Sequence, residues 1–268
     1  MASNSKTFER KLPQEMQPHT YSIMYEVEES HWWFVGRRRI LSSFVERIAG
    51  SARPEKARIL DVGCGTGANL EMLSEFGQAE GVDVATEALM FCRSRGVTGV
   101  KLGEAEKLPY ADDSFDLVTG LDVVEHLDDD LAGLLEMHRV LRPGGHALLF
   151  VPAFQFLWGV QDEVSNHRRR YTIGELREVV TSAGFEVERT TYANITFFLP
   201  ILLGRALMRL TGFRPASENN LTLSWLNGFL GAVFGAEAAF LRHVNFPFGV
   251  SAICVAKKRQ GSEVSGQL

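Results

Sequence analysis

The stretch Ile59-Leu-Asp61-Val-Gly63-Cys64-Gly65-Thr-Gly67 holds residues whose types and spacing could do chemistry. Glycine permits positive φ and lets backbone approach a ligand closely. N–H groups at the start of the helix that follows offer hydrogen bonds to a carboxylate or phosphate. Asp83, twenty residues past Gly63, is placed to accept both hydroxyls of a ribose. Gly63-x-Gly65-x-x-Ala68 also satisfies the dinucleotide fingerprint, so the glycines alone do not separate a nicotinamide nucleotide from another adenosyl ligand. Asp61 does: a buried carboxylate there can meet an amino group, whereas it would repel a pyrophosphate.

Two further stretches suit an acceptor site. In His31-Trp-Trp33-Phe-Val-Gly-Arg37-Arg-Arg39, a helix puts Trp33 and Arg37 on one face, at i and i+4. Either they form a lid over a ligand, with Arg meeting an anion and Trp stacking, or the helix packs on the sheet with its arginines solvated. Pro152-Ala-Phe-Gln-Phe-Leu-Trp158, Asp162 and His167-Arg168-Arg-Arg-Tyr171 form a long connection, and long loops carry function disproportionately. Here Trp158, Asp162, His167, Arg168 and Tyr171 either bind or deprotonate an acceptor, or form a salt-linked loop that holds the next helix. His126 and His167 are the candidate bases, because histidine titrates near neutrality; His126 also suits a bracing role in its loop. No ligand cluster in the sequence requires a metal.

The elements that must position these residues follow from the pattern. From Ala57 to Val151, strands at Arg58 to Val62, Ala79 to Val84, Val100 to Leu102, Phe115 to Leu121 and His146 to Val151 alternate with helices. The helices run from Ala68 to Phe76, Glu87 to Arg95 and about Asp129 to Leu141, and Arg142-Pro-Gly-Gly145 is a turn. Such alternation predicts parallel βαβ units with helices on both faces. Thr172 with Glu175 is a capping box opening a helix to Ala183, ahead of Gly184. Strands follow at Phe185 to Tyr192 and Gly249 to Lys257.

Between these strands, Ile195 to Leu210 and Leu223 to Leu241 are apolar helices, punctuated by Gly228, Gly231 and Gly235, which permit close helix approach. They suit a roof over a hydrophobic pocket, a homodimer interface, a membrane-surface contact through 195–241 or an extra core layer. The expected organisation is a mobile tail over 1–15 and another over the last eight residues, N-terminal lid helices over 16–50, a ligand-binding domain over 51–192 and 248–259, and the apolar insertion over 193–247.

The bulk numbers narrow the classes. A net charge of -5 argues against non-specific nucleic-acid binding. The three cysteines form no C-x-x-C pair, which fits a reducing cytoplasm better than a disulfide framework. No apolar run resembles a signal peptide or reaches the length of a transmembrane helix.

Taken together, several motifs resemble those of class I S-adenosylmethionine (SAM)-dependent methyltransferases, nearest to the quinone-methyltransferase-like, small-molecule branch. They are Asp61-Val-Gly-Cys-Gly-Thr-Gly67, Gly81-Val-Asp83, Gly103-Glu-Ala-Glu-Lys-Leu-Pro109, Asp113-Ser-Phe-Asp-Leu-Val118, Asp122-Val-Val-Glu-His-Leu127 and Arg139-Val-Leu-Arg-Pro-Gly-Gly145. The resemblance implies a Rossmann-like α/β fold with a seven-stranded, mostly parallel sheet of order 3-2-1-4-5-7-6, its last strand antiparallel. It implies SAM as cofactor, S-adenosylhomocysteine as product, and no metal. Asp61, Gly63, Cys64 and Gly65 would hold the methionine end, Asp83 and Val84 the ribose side, Glu104 and Ala105 the adenine, and Asp122 would lie beside the methionine moiety. Where many relatives have Asp, this chain has Glu104. The expected activity is methyl transfer to a small, apolar or lipid-like acceptor. The competing classes are a SAM- or nucleotide-binding module without catalysis and a nicotinamide-dependent oxidoreductase; the Asn-Pro-Pro-Tyr type motif of amino-methylating nucleic-acid enzymes is absent after the fourth strand.

Overall fold

The computed structural model describes residues 18–49, 57–215 and 224–260. Both expected tails lie outside the described residues. Helices α1 (Pro18–Val27) and α2 (Trp32–Ala49) come first. The alternating unit follows as β1 (Arg58–Val62), α3 (Ala68–Ser74), β2 (Gln78–Asp83), α4 (Thr86–Ser94), β3 (Val100–Leu102), β4 (Phe115–Leu121), α5 (Asp130–Val140) and β5 (Leu141–Pro152). Then come α6 (Val160–Val164), α7 (Ile173–Ser182), β6 (Glu186–Ala193), α8 (Phe198–Thr211), α9 (Asn227–Leu241) and β7 (Ser251–Lys257).

The seven strands form one sheet of order β3-β2-β1-β4-β5-β7-β6, as the family resemblance implies. Strands β1 to β5 pair in parallel, and β7 runs antiparallel to both neighbours. Alternate residues along the central strands enter opposite layers. Leu60, Val118, Leu149 and Cys254 pack with Leu134 and Met137 of α5 and Leu176 and Val180 of α7. Their chain neighbours Ile59, Leu117, Leu148 and Ile253 pack with Ile40, Leu41 and Phe44 of α2, Leu73 of α3 and Phe234 of α9. A sheet covered on both faces needs strands apolar at both alternations, which explains why these strands are continuous aliphatic runs.

The expected turn at Arg142–Gly145 is a break inside a longer strand. Phe115 pairs with Leu141 and Leu117 with His146, so β5 carries the extra residues as an irregularity, with Gly144 at φ 84°. The capping box forms as expected: Glu175 N–H donates to Thr172 Oγ1 at 3.3 Å, and Thr172 N–H donates to Glu175 Oε2 at 2.7 Å.

The insertion between β6 and β7 divides by helix. Helix α9 completes the core through Phe234 and Leu241 and lies against α2, where Gly36 faces the Phe234 side chain and Gly231 faces the Trp32 backbone. Buried Glu237 of α9 accepts from Asn194 N–H at 2.7 Å and Thr196 N–H at 2.9 Å, which ties the end of β6 to this helix. Helix α8, by contrast, buries only Arg205.

Candidate functional site

The carboxyl ends of the parallel strands open into a cavity of about 750 Å³, where open α/β sheets place ligands. Its size suits a small-molecule site. One side is the glycine loop. Gly63 takes φ 67°, and a Cβ there would sit 2.2 Å from Val123, so only glycine fits. Gly65 takes φ 54°, and a Cβ there would find nothing nearer than Met24 at 3.9 Å, so its backbone faces open space.

Asp61 lies beneath this loop, 1% exposed. Its Oδ1 accepts from Thr119 Oγ1 at 2.5 Å, while Oδ2 is buried without a partner. Burial pushes its carboxyl up to about 7, against the opposing pull of the Thr119 bond and Arg37. Asp83, at the end of β2, accepts from Gly65 N–H at 2.8 Å and Ala85 N–H at 2.9 Å and lines the cavity.

Asp122 sits just past β4 in the left-handed region, φ 59°, its N–H donating to Phe150 O at 2.8 Å. Its carboxylate is paired with Arg37 Nη1. Burial raises the Asp122 carboxyl from its ordinary value, and Arg37 works against that shift. The Arg37 guanidinium also lies 4.8 Å from the Trp33 ring centroid and donates to Asn69 Oδ1 at 3.3 Å. The solvated-arginine alternative therefore does not describe Arg37, which is 5% exposed; Arg39 is exposed. A second clasp joins α1 to the loop: Arg95 Nη2 meets Glu28 Oε1 at 2.8 Å, Arg95 Nε donates to Thr66 O at 3.0 Å, and Thr66 Oγ1 donates to Glu28.

The structure gathers Gly63, Cys64, Gly65, Asp83, Val84, Ala105 and Asp122 around the cavity, with Trp33, Arg37, His126 and His167. Asp61 lies below it rather than in its lining. Glu104 is exposed and outside the lining, whereas its neighbours Gly103 and Ala105 line it. Trp158, Asp162, Arg168 and Tyr171 also lie outside it.

Asp162, Arg168 and Tyr171 are tied into the connection itself. Asp162, fully buried, accepts from Arg170 at 2.8 and 3.0 Å and from Gly159 N–H at 2.7 Å, and pairs with His167 Nδ1 at 2.8 Å. Arg168 meets Asp128 at 3.0 Å, and Arg169 meets Asp130 at 2.7 Å. The Tyr171 hydroxyl donates to Asp130 at 2.7 Å. Each arginine of the run thus has its own aspartate, which is the salt-linked arrangement; from the connection Gln161, Ser165, His167 and Arg170 reach the cavity.

At the cavity wall the His126 and His167 rings meet edge to face, centroids 4.7 Å apart. His126 bonds to the Ser165 backbone, and burial holds its imidazole well below the usual range. Glu125, fully buried behind them, carries a carboxyl that burial raises well above the usual range. Glu125, Glu28, Thr66, Asn69 and Arg170 escape sequence reasoning. Thr66 and Glu125 lie inside quoted motifs between better-known positions, while Glu28 has no local signal.

The methyltransferase-domain family matches residues 60–149. Over 166 residues the chain is 31% identical to a protein of Mycolicibacterium smegmatis described as a probable SAM-dependent methyltransferase, covering 60% of this chain and 62% of that one. It therefore spans less than two thirds of that relative's length. It is 33% identical over 182 residues to an uncharacterized methyltransferase of Bacillus subtilis, covering 63% of this chain and 71% of that protein. A solved SAM-dependent methyltransferase from Thermotoga maritima superposes with a TM-score of 0.54 at 20% identity, covering 91% of this chain and all of that one, and shares the fold. Strand order, the glycine loop over a buried aspartate, and these relatives place the chain in the class I SAM-dependent methyltransferase family.

Proposed function

We propose that this protein transfers a methyl group from SAM to a small, apolar, lipid-like acceptor held beneath α8 and α9. The observation that carries the proposal is one continuous cavity lined both by Gly63, Gly65 and Asp83, above buried Asp61, and by apolar side chains of α8 and α9. The residues fit the cofactor. The unpartnered Oδ2 of Asp61 suits an ammonium, Gly65 leaves room for close approach, and Asp83 offers a carboxylate to ribose hydroxyls. When bound, SAM supplies a methyl group already activated on a sulfonium, so the protein's work is alignment and exclusion of water.

Each wall has a part in that work. Trp33 and Arg37 close the N-terminal side, with Asp122 holding Arg37 in place. Phe197, Pro200, Ile201, Met208 and Leu230 face the cavity from the insertion and favour an apolar acceptor. An acceptor hydroxyl or amine must lose a proton, and the His126–His167 corner stands at the wall to manage it. Asp162 orients His167 by its Nδ1, leaving Nε2 turned towards Glu125 and the cavity.

The outer face of the roof supports a lipid source for the acceptor. Leu199, Leu203, Leu207 and Leu210 of α8 are 58, 60, 61 and 85% exposed. At this spacing they form one stripe on the helix. Since the other side of the same helix lines the cavity, a bilayer surface beneath the stripe would deliver the acceptor to the roof. Among the described residues no helix is long and apolar enough to cross a membrane.

The test is calorimetry with SAM, S-adenosylhomocysteine and NAD, then methyl transfer to hydroxyl-bearing lipids extracted into mixed micelles. Binding of SAM and its product, weakened by Asp83→Ala, together with transfer to an extracted lipid, supports the reading. Binding of NAD alone contradicts it, and SAM binding with no transfer to any lipid favours a non-catalytic binding module.

A further inference from the structure

The turn after β4 and the connection between β5 and α7 bring Glu125, His126 and His167 together. One ligand atom from each lies within 4.8 Å of the others. We propose that these three side chains form a divalent transition-metal site, of the class that takes Zn²⁺ or Mn²⁺, whose open positions face the cavity and bind an acceptor hydroxyl. Only the identity of the hydroxyl rests on the methyl-transfer reading; the cation site stands on its own geometry.

Three observations converge on it. First, the lone pairs are present and unused. Both carboxylate oxygens of Glu125 and Nδ1 of His126 are buried without a hydrogen-bond partner, and buried polar groups of this kind are ordinarily paired or coordinate a metal. Second, the distal sides of both rings are already held. His167 Nδ1 is bonded to Asp162 at 2.8 Å, which directs Nε2 towards Glu125, 3.9 Å away. The His126 ring is bonded to the Ser165 backbone, which leaves Nδ1 for the cluster. Metal-bound histidines show this carboxylate or carbonyl support, because it fixes tautomer and ring orientation. Third, the two loops are fastened at this point, Arg168 N–H donating to Glu125 O at 2.8 Å.

Two imidazoles and one carboxylate are a donor set suited to a borderline cation with positions left open. Ligands on a tetrahedral ion at about 2.1 Å lie roughly 3.4 Å apart. Loading therefore asks the side chains to close by little more than an ångström. His126 and His167 line the cavity, so the open positions face the acceptor. There the cation takes the hydroxyl oxygen as a ligand. The O–H bond breaks, the proton passes to solvent water, and the electron pair stays on the oxygen, stabilised by the cation; nothing is oxidised or reduced.

The experiment titrates chelator-treated full-length protein with Co²⁺ and Zn²⁺, followed by calorimetry and by the visible Co²⁺ spectrum. One equivalent per chain is expected. Glu125→Gln and His167→Gln should each weaken binding by about tenfold or more, while His138→Gln, on α5 beside Phe185, leaves it unchanged. Melting temperature and S-adenosylhomocysteine binding are read on the same variants to separate ligand loss from unfolding. Pulsed EPR of Cu²⁺-loaded wild type, which needs no variant, should resolve nitrogen couplings from two imidazoles. Absence of saturable binding, binding indifferent to both substitutions in folded protein, or a spectrum without imidazole couplings overturns the site. Cation binding without SAM binding would leave the site standing and overturn the methyl-transfer reading instead.

Discussion

At the residue scale, the proposed cofactor role of Asp61 has a pH signature. Burial raises its carboxyl to about 7, from the usual aspartate value of about 3.9. Between those values the folded chain keeps a proton that the unfolded chain has released. Stability therefore falls as pH rises through that window and is flat above it. An ammonium partner favours the ionised form, so S-adenosylhomocysteine binding should tighten as pH rises towards about 7 and level off above it. Asp61→Asn should flatten that profile and cost about 1.5–3 kcal/mol of binding at pH 8, the range of hydrogen bonds to charged groups; a profile unchanged in the variant would remove Asp61 from the account. Arg37→Gln leaves Asp122 without its partner and should lower both melting temperature and cofactor affinity, which thermal denaturation with and without ligand would measure. Residue roles are unevenly legible. Gly63 and Gly65 announce themselves, because close approach and positive φ demand glycine. Glu125 does not, because its partner-free burial arises from the fold and not from its place beside His126.

At the element scale, the packing of α2 on α9 holds α2 against the sheet. A Cβ at Gly36 would lie 2.4 Å from the Phe234 ring. Gly36→Ala should therefore destabilise by about 1–3 kcal/mol, the usual cost of overpacking, even though alanine is the better helix former. Phe234→Ala in that background should be less damaging than in the wild type, so a double-mutant cycle in urea with additive effects would contradict the contact. At α7, Thr172→Ala should cost about 1 kcal/mol through the lost cap. The strands are legible because period and alternation are local, whereas their order follows from the resemblance and not from the pattern. The turn at Arg142–Gly145 is misplaced because β4 recruits Leu141 into the sheet beyond the glycines, and a sequence does not display pairing. The connection after β5 leaves two readings open in sequence. The fold resolves much of it as salt links, since the aspartates that neutralise Arg168 and Arg169 come from the β4–α5 turn and the start of α5.

At the scale of the whole molecule, the glycine loop with Asp83, the His126–His167 wall and apolar residues of α8 and α9 share one cavity, and the outer stripe of α8 is exposed. Leu203→Lys with Leu207→Lys should abolish sedimentation with phospholipid vesicles while changing stability little, because substitutions on an exposed surface usually move it by about 0.5 kcal/mol or less. Loss of a concentration-dependent dimer in place of vesicle binding would reassign the stripe to a second copy of the chain. The central claim is that the Asp61–Gly65–Asp83 corner binds SAM. Calorimetry of the wild type and Asp83→Ala with SAM, S-adenosylhomocysteine and NAD tests it most directly. The account predicts saturable, one-to-one binding of SAM and its product, lost or much weakened in the variant, and none of NAD. Binding of NAD alone, or SAM binding indifferent to Asp83→Ala, would contradict it.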